Sequence, residues 1–178
     1  MSYFFDRRPR VLPAMRYRVD DFSFATDNDQ YRLLLPAALY EELRERCIAD
    51  PSRETGSILV GYYDQNHARA VVTHLPPRPP DSESGRTFFR RGRGGLQRLL
   101  DRLWPQQRHY LGEWHFHPSA SPQPSHIDDA QMRRLAETVE VRCPEPILVV
   151  LGNPAGHWRV SATVYPLGRP IEMRCRSI

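Results

Sequence analysis

The chain has 178 residues, 40% of them hydrophobic, which fits one domain with a packed core. It has no apolar run near the roughly 20 residues that span a membrane and no apolar stretch at its N-terminus, so we expect neither a membrane span nor a signal peptide. The formal net charge of +4 and the pI of about 9.2 admit nucleic acid as a partner. The basic residues are spread along the chain, however, and we do not expect nucleic-acid binding.

The cysteines bear on the compartment. Cys47, Cys143 and Cys175 lie far apart and are odd in number. They fit neither a disulfide framework nor a cysteine-type zinc site. Proteins without disulfides are typical of the cytoplasm, and we expect a cytoplasmic protein that does not associate with a membrane.

The first third of the chain predicts an arm, a strand and a helix. Residues 1–30 are polar and irregular and predict an N-terminal arm or edge segment, so we expect the main domain to cover residues 31–178. Residues 31–35 predict a short strand. Pro36 suits the first turn of a helix, and residues 50–52 end it. The apolar stripe of this helix is formed by Leu39, Leu43 and Cys47.

The middle of the chain predicts a hairpin, a long loop, a helix and a strand. Residues 56–63 predict a buried strand and residues 70–75 its hairpin partner. Residues 76–95 are rich in Pro, Arg, Gly and Ser and predict a long loop, of the kind that is functional or disordered in a compact domain. A strand is predicted at 108–117. The helix before it is indicated by apolar residues at helical spacing, Leu96, Leu99, Leu100 and Leu103.

The last third predicts a helix and three strands. The helix covers residues 128–139, and a central strand follows at 146–151. An alternating strand is predicted at 158–165 and a final edge strand at 171–176. This order of elements predicts an α/β or α+β fold, a sheet with helices packed on it.

Two histidines, His115 and His117, lie near the end of the strand predicted at 108–117. Side chains two apart on a strand point to the same face. Together with a carboxylate they suit zinc, and three ligands leave a fourth position for water. A lone pair of this spacing is also found on exposed strand faces, but Pro118 ends the strand and places the pair at its rim.

Ser125 and Asp128 admit two interpretations. Asp128 can return from a loop or helix start to supply a third metal ligand. The Ser-x-x-Asp spacing before a helical stretch also predicts a capping box, in which each side chain bonds the backbone of the other residue. The two are compatible, because a helix start can hold an acidic ligand rigidly.

Glu54 stands just before the strand predicted at 56–63. An acidic residue at such a position is usually exposed. If it instead faces a metal-activated water, it can act as general base and then as general acid.

Two other families with paired histidines are disfavoured by spacing. A metallo-β-lactamase-type site needs an Asp-His pair soon after the histidines, and Pro118 and Ser119 stand there instead. An amidohydrolase places its pair on the first strand of a barrel of about 250 residues, which is longer than this chain.

Taken together, Glu54, His115-x-His117-Pro118 and Ser125-x-x-Asp128 resemble the motif of the JAMM (MPN+) zinc metalloproteases. The resemblance covers about residues 31–165. It implies a mixed, curved β-sheet flanked by helices, similar to that of cytidine deaminases. The surrounding sequence looks most like bacterial JAMM proteins encoded beside homologues of ubiquitin-activating (E1) and ubiquitin-conjugating (E2) enzymes in antiphage operons of the CBASS and Bil types.

The resemblance implies a role for each motif residue. His115, His117 and Asp128 bind one zinc ion, with water as the fourth ligand. Glu54 takes the proton of that water and passes it to the leaving amine. Ser125 donates a hydrogen bond to the oxyanion, a type of stabilisation worth a few kcal/mol. The substrate is a peptide or isopeptide bond after the C-terminal tail of a ubiquitin-like protein.

Substrate contacts are expected near the loop at 76–95. In eukaryotic members of the family, an insertion before the histidine strand helps to hold the distal ubiquitin-like protein. Phe88 and Phe89 lie among arginines at a similar place. An extended tail would add as a strand beside the site. We also expect Trp114 to contact substrate. For the segment at 76–95, the alternative is an ordinary flexible loop. For the whole protein, the alternatives are a JAMM peptidase acting on sulfur-carrier-type small proteins and a non-catalytic MPN scaffold.

All 25 residues of the Lys and Arg class are arginine. A GC-rich genome that favours arginine codons explains this simply. The alternative is that an enzyme working among conjugating enzymes avoids modification of its own lysines. A uniformly low lysine content across the same genome would exclude the second explanation.

Overall fold

The structure is a computed structural model that describes residues 20–64 and 69–176. Within them it contains ten strands and three α-helices. The strands are β1 (Phe22–Ala25), β2 (Arg32–Leu35), β3 (Thr55–Tyr63), β4 (Arg69–His74), β5 (Glu83–Ser84), β6 (Phe89–Arg90), β7 (His109–His117), β8 (Ile147–Gly152), β9 (Arg159–Val164) and β10 (Ile171–Arg176). The helices are α1 (Ala37–Ala49), α2 (Leu96–Leu103) and α3 (His126–Glu137).

Eight strands form one closed, mixed sheet in the order β1-β10-β9-β8-β7-β3-β4-β2, with β2 returning to β1. The pairs β2–β4 and β7–β8 are parallel, and the other pairs are antiparallel. The predicted mixed, curved sheet with helices is confirmed. The likeness to cytidine deaminases stays a prediction.

The two ends of the described chain correct the sequence prediction. β1 pairs with both β10 and β2, so neither residues 22–25 nor residues 171–176 form an edge. Phe24 lies in the main core, which makes this part of the expected arm a strand of the domain. Pairing of β1 with β10 closes the main sheet, so that neither strand is left with an edge of unpaired backbone groups. Residues 1–19, the rest of the expected arm, lie outside the described residues.

The sheet has a different layer on each face, because side chains alternate along its strands. On the inner face, Leu59 and Val149 belong to the main core together with Leu43 and Cys47 of α1. On the outer face, Ile58 packs with the leucines of α2, and Val150, in a separate cluster, packs with Met132 of α3. The face on which a side chain lies therefore decides whether it meets α1 or the layer of α2 and α3.

A β-bulge in β7 fixes which of its side chains face outward. The register shifts so that Leu59 pairs with Gly112 and Val60 with Tyr110, leaving Leu111 as the extra residue. Gly112 has φ 147°, and a Cβ there would lie 1.8 Å from the carbonyl oxygen of Ile147. No other residue type fits this position without movement of the backbone.

The segment at 76–95 was predicted as a long loop, and it holds the two-stranded sheet of β5 and β6. The Asp81 carboxylate accepts hydrogen bonds from the amides of Arg93 (2.9 Å) and Gly94 (2.8 Å). The Ser82 hydroxyl accepts one from the Gly92 amide (2.9 Å). These bonds tie the two ends of the segment together. Among the described helices, none combines the length and apolar character needed to cross a membrane.

Candidate metal centre and active site

His115 and His117 lie on the outer face of β7, as the strand alternation predicts. Both are buried, and their neighbours Trp114 and Phe116 point the other way into the main core. The histidines therefore meet what lies over the outer face, which at this end of the strand is the start of α3.

Asp128, in the first turn of α3, reaches both histidines. Its Oδ1 lies 2.7 Å from Nδ1 of His115, and its Oδ2 lies 3.3 Å from Nε2 of His117. One donor atom from each of the three side chains falls within 4.8 Å of the others. The structure thus brings together the three residues expected to be ligands.

Ser125 caps α3, which confirms one interpretation of the Ser125–Asp128 pair and is compatible with the other, that Asp128 binds a metal, which stays a prediction. The Ser125 hydroxyl accepts a hydrogen bond from the Asp128 amide at 3.2 Å, and Asp128 Oδ2 accepts one from the Ser125 amide at 2.7 Å. The predicted capping box is confirmed. The same hydroxyl donates to Asp128 Oδ2 at 2.7 Å. The cap therefore holds the carboxylate that faces the histidines.

The charges of this cluster favour a cation. Burial alone would raise the pKa of Asp128, but hydrogen bonds from His115 and His117 hold it well below its ordinary value. Burial alone would lower the pKa of His115, yet its hydrogen bond to Asp128 and the nearby carboxylate of Glu113 raise it to about 9. A positive charge is thus stabilised between buried carboxylates, and a metal ion can supply it in place of a proton. Two imidazoles and one carboxylate are a donor set that zinc accepts.

Glu54 faces this cluster from the start of β3. Burial raises the pKa of its half-buried carboxyl; His117 opposes the rise, and the charge of Asp128 adds to it. Thr55 of β3 pairs with Phe116 of β7, so Glu54, one residue earlier, lies beside the end of β7 that carries His117. The Glu54 amide donates to the Gly85 carbonyl at 2.8 Å, which fixes its backbone against the segment at 76–95. A carboxylate of raised basicity at the mouth of a metal site suits proton transfer.

The three residues expected to contact substrate lie in different surroundings. Phe88 is 46% exposed beside β6. Phe89 is 4% exposed and sets its ring edge-on against His115, with centroids 5.3 Å apart. Trp114 is 1% exposed in the main core. The expectation of substrate contact is wrong for Trp114, because the alternation of β7 turns its side chain into the main core, away from the site. Phe89 is buried and packs against the ring of His115.

Glu113, which was not predicted as a site residue, is fully buried on the same face as the histidines. Its Oε1 lies 2.7 Å from Nε of Arg91, and its Oε2 accepts a hydrogen bond from Gln131 at 2.6 Å. The signal was present in the sequence, since Glu113 precedes His115 by two residues on one strand. Its partners come from remote segments and left no local pattern.

A cavity of about 910 Å³ opens beside α2 and shares Arg91 and Tyr110 with the surroundings of Glu113. None of the residues expected to be catalytic or to bind metal lines it. Despite its size, this cavity is therefore not the candidate active site.

Comparison with known proteins agrees with this geometry. Residues 36–163 match the family described as prokaryotic homologues of the JAB domain. A CD-NTase/cGAS isopeptidase from Enterobacter hormaechei subsp. hoffmannii is 37% identical over 161 residues, which are 89% of each chain. A probable metalloprotease, y4qB, from Sinorhizobium fredii is 29% identical over 137 residues, covering 72% of this chain and 83% of the relative.

A solved structure resembles the fold as well. The solution structure of protein DSY2949 from Desulfitobacterium hafniense matches with a TM-score of 0.50 at 18% identity, covering 79% of this chain and 86% of the other. This likeness bears on the fold alone. The family match over 36–163 and the relative at 37% identity bear on the chemistry too, and the expected motif residues of the site lie inside the matched range. The chain therefore belongs to the prokaryotic homologues of the JAB domain and is a JAMM-type hydrolase.

Proposed function

We propose that this protein is a zinc-dependent isopeptidase that cleaves after the C-terminal tail of a bacterial ubiquitin-like protein, removing it from conjugates or trimming its precursor. The observation that carries the proposal is the meeting of buried His115, His117 and Asp128 with the half-buried Glu54 beside them. The similarity to a protein named CD-NTase/cGAS isopeptidase supports an isopeptide bond as the one that is cleaved.

His115, His117 and Asp128 would hold the zinc ion. When bound, zinc lowers the pKa of a water toward ~7 and polarises a carbonyl group. Glu54 accepts a proton from the attacking water and delivers it to the leaving amine. Because the pKa of Glu54 is raised, this carboxylate is a stronger base than an ordinary glutamate, which favours uptake of the proton from the water.

Ser125 has a second task in this proposal. Its hydroxyl hydrogen is directed at Asp128 in the structure, at a distance of 2.7 Å. Rotation about its Cβ–Oγ bond turns the hydroxyl hydrogen toward the developing oxyanion, while the bond from the Ser125 amide to Asp128 keeps the carboxylate in place. A donor of this kind is worth about 2.7–4 kcal/mol of barrier.

The substrate tail is proposed to add as a strand to β5 or β6. The main sheet is closed, so among the described residues the unpaired strand edges belong to the two-stranded sheet of β5 and β6. This sheet lies against the Glu54 amide through Gly85. A strand added there would bring its C-terminal end to the site, and exposed Phe88 would contact it beside the scissile bond.

The proposed setting is the cytoplasm, in antiphage defence beside E1-like and E2-like proteins of one operon. The Enterobacter relative is named for CD-NTase/cGAS, which supports this setting. The complete set of Glu54, two histidines, Ser125 and Asp128 favours an enzyme over a scaffold. A lysine-free surface would also spare such an enzyme from modification by its neighbours.

The experiment compares wild type with Glu54→Gln on a ubiquitin-like protein fused through its tail to a reporter. Glu41→Gln is the matched control, since Glu41 is exposed on α1 and pairs with Arg44. We expect a loss of kcat of about 10²–10⁴-fold in E54Q with zinc content unchanged, and no loss in E41Q. Equal rates in E54Q and wild type would exclude Glu54 as the proton carrier.

A further inference from the structure

A buried carboxylate stands directly beneath the expected metal ligands. Glu113 lies two residues before His115 on β7 and is fully buried. The bulge at Leu111 brings Tyr110 to the same face, so that its hydroxyl lies 3.4 Å from Glu113 Oε1. The strand that carries the histidines therefore also carries a charge that the proposed mechanism does not use.

Besides Tyr110 on the same strand, two other parts of the chain supply donors to this carboxylate. Nearly buried Arg91, which follows β6, donates from Nε to Oε1 at 2.7 Å. Gln131, on α3, donates to Oε2 at 2.6 Å. The network thus joins the segment at 76–95, β7 and α3, the same three elements that surround the site.

Fold stability alone does not explain such a network. Burying two charges costs several kcal/mol per ion, and replacing a buried pair by well-packed apolar side chains is often neutral or stabilising. The outer face of β7 nevertheless holds a charged pair, Glu113 and Arg91, where apolar packing would serve stability. The contact of this pair with His115 supplies a reason.

Glu113 Oε2 lies 3.4 Å from Nε2 of His115, while the opposite ring nitrogen, Nδ1, faces Asp128 at 2.7 Å. Nε2 is buried and has no well-aligned hydrogen-bond partner among the described residues. A small rotation of either side chain makes the contact with Glu113 a hydrogen bond. Histidines that bind metal commonly donate their other ring N–H to a carboxylate, which fixes the ring.

We propose that Glu113, held by Arg91 and Gln131, is a positioning residue that fixes the ring of His115 for metal binding. The inference rests on the proposed zinc site. Glu113 acts through His115 and does not contact the substrate. Arg91 holds one oxygen of the carboxylate in place, and Gln131 ties the second oxygen to the helix that carries Asp128.

The test is a zinc titration of Glu113→Gln against wild type, with competition from a chromophoric chelator. The variant keeps the size of the side chain and removes its charge. We expect the dissociation constant for zinc to rise about 10–100-fold. Glu41→Gln, which breaks the exposed pair with Arg44 on α1, is the control and should leave zinc affinity unchanged.

Thermal melting with and without zinc distinguishes a purely structural role of Glu113 from the proposed role in positioning His115. A structural role lowers the Tm of E113Q equally in chelated and zinc-loaded protein. The proposed role makes the zinc-induced rise in Tm smaller in E113Q than in wild type. The absorption spectrum of cobalt-substituted protein should also change in E113Q and not in E41Q, because the ring of a ligand has moved.

Removing one partner of a buried pair can prevent folding. The variant R91Q/E113Q, which removes both charges, then takes the place of E113Q, with the same expected loss of zinc affinity. Wild-type zinc affinity in either folded variant would overturn the inference and leave the proposed function standing. A wild-type protein that binds no zinc would overturn the proposed site and the inference with it.

Discussion

Ser125→Ala tests how firmly the start of α3 holds Asp128. The serine hydroxyl makes two bonds that alanine cannot replace. It accepts from the Asp128 amide at 3.2 Å and donates to the Asp128 carboxylate at 2.7 Å. The variant should therefore be less stable even in the absence of metal and substrate.

The magnitude follows from the two bonds. Loss of an N-cap side chain costs about 1 kcal/mol. Loss of a hydrogen bond to a charged group costs about 1.5–3 kcal/mol, and the half-exposed position of Ser125 favours the lower end of that range. We expect the free energy of unfolding to fall by about 2–3 kcal/mol. For a chain of this size that lowers Tm by about 4–12 °C.

The assay is thermal and urea unfolding of chelated protein, with Ser125→Thr as the matched control. Threonine keeps a hydroxyl and caps helices nearly as well as serine, so it should stay within about 0.5 kcal/mol of wild type. A loss below about 0.5 kcal/mol in S125A would refute the reasoning, since the hydroxyl would then carry neither bond. If Ser125 also stabilises the oxyanion, zinc-loaded S125A loses about 10²–10³-fold in kcat at temperatures where it is fully folded.

Three further predictions concern His115 and the residues near it. Phe88→Ala should change the free energy of unfolding by less than about 0.5 kcal/mol and raise KM for a ubiquitin-like fusion. Phe89→Ala should instead lower Tm and weaken zinc binding, because the Phe89 ring packs against His115. Denaturation and steady-state kinetics of both variants test this, and equal effects of the two substitutions would contradict the separate roles. Gly56→Ala should displace the site, because a Cβ there would lie 2.8 Å from both His115 Cδ2 and Phe89 Cε1; soluble protein with unchanged zinc affinity would argue against this packing. In the folded protein the pKa of His115 is raised from 6.5 to about 9, so protonated His115 stabilises the metal-free protein fully below about pH 6.5, and this stabilisation is lost as the pH rises through about 9. The Tm of metal-free wild type should fall over this pH range, and the fall should be absent in His115→Ala. An equal fall in His115→Ala would show that other groups cause it.

The strand β7 explains what sequence could and could not predict about the site. Its period of two placed His115 and His117 on one face, and the same rule applied further would have excluded Trp114 and included Glu113. The capping signal of Ser125 and Asp128 is local and was read correctly. Arg91 and Gln131 reach Glu113 from 22 and 18 residues away, and no local pattern predicts such partners.

The fold divides in the same way. Hydrophobic periodicity predicted the helices and, apart from β1, the strands of the main sheet in the residues described, because each buries an apolar face. Closure of the sheet was missed, since it depends on pairing between Phe24 and Cys175, at opposite ends of the chain. β5 and β6 were missed because two residues each are too few to show a period.

The most direct test of the proposed function is mass spectrometry of the products formed from a ubiquitin-like protein joined through its C-terminus to a lysine of a target. Zinc-loaded protein should release the ubiquitin-like protein with its intact C-terminal carboxylate and the target with a free lysine amine. Chelated protein should release neither. Cleavage at another bond, or equal cleavage by chelated and zinc-loaded protein, would contradict a zinc-dependent isopeptidase built on His115, His117 and Asp128.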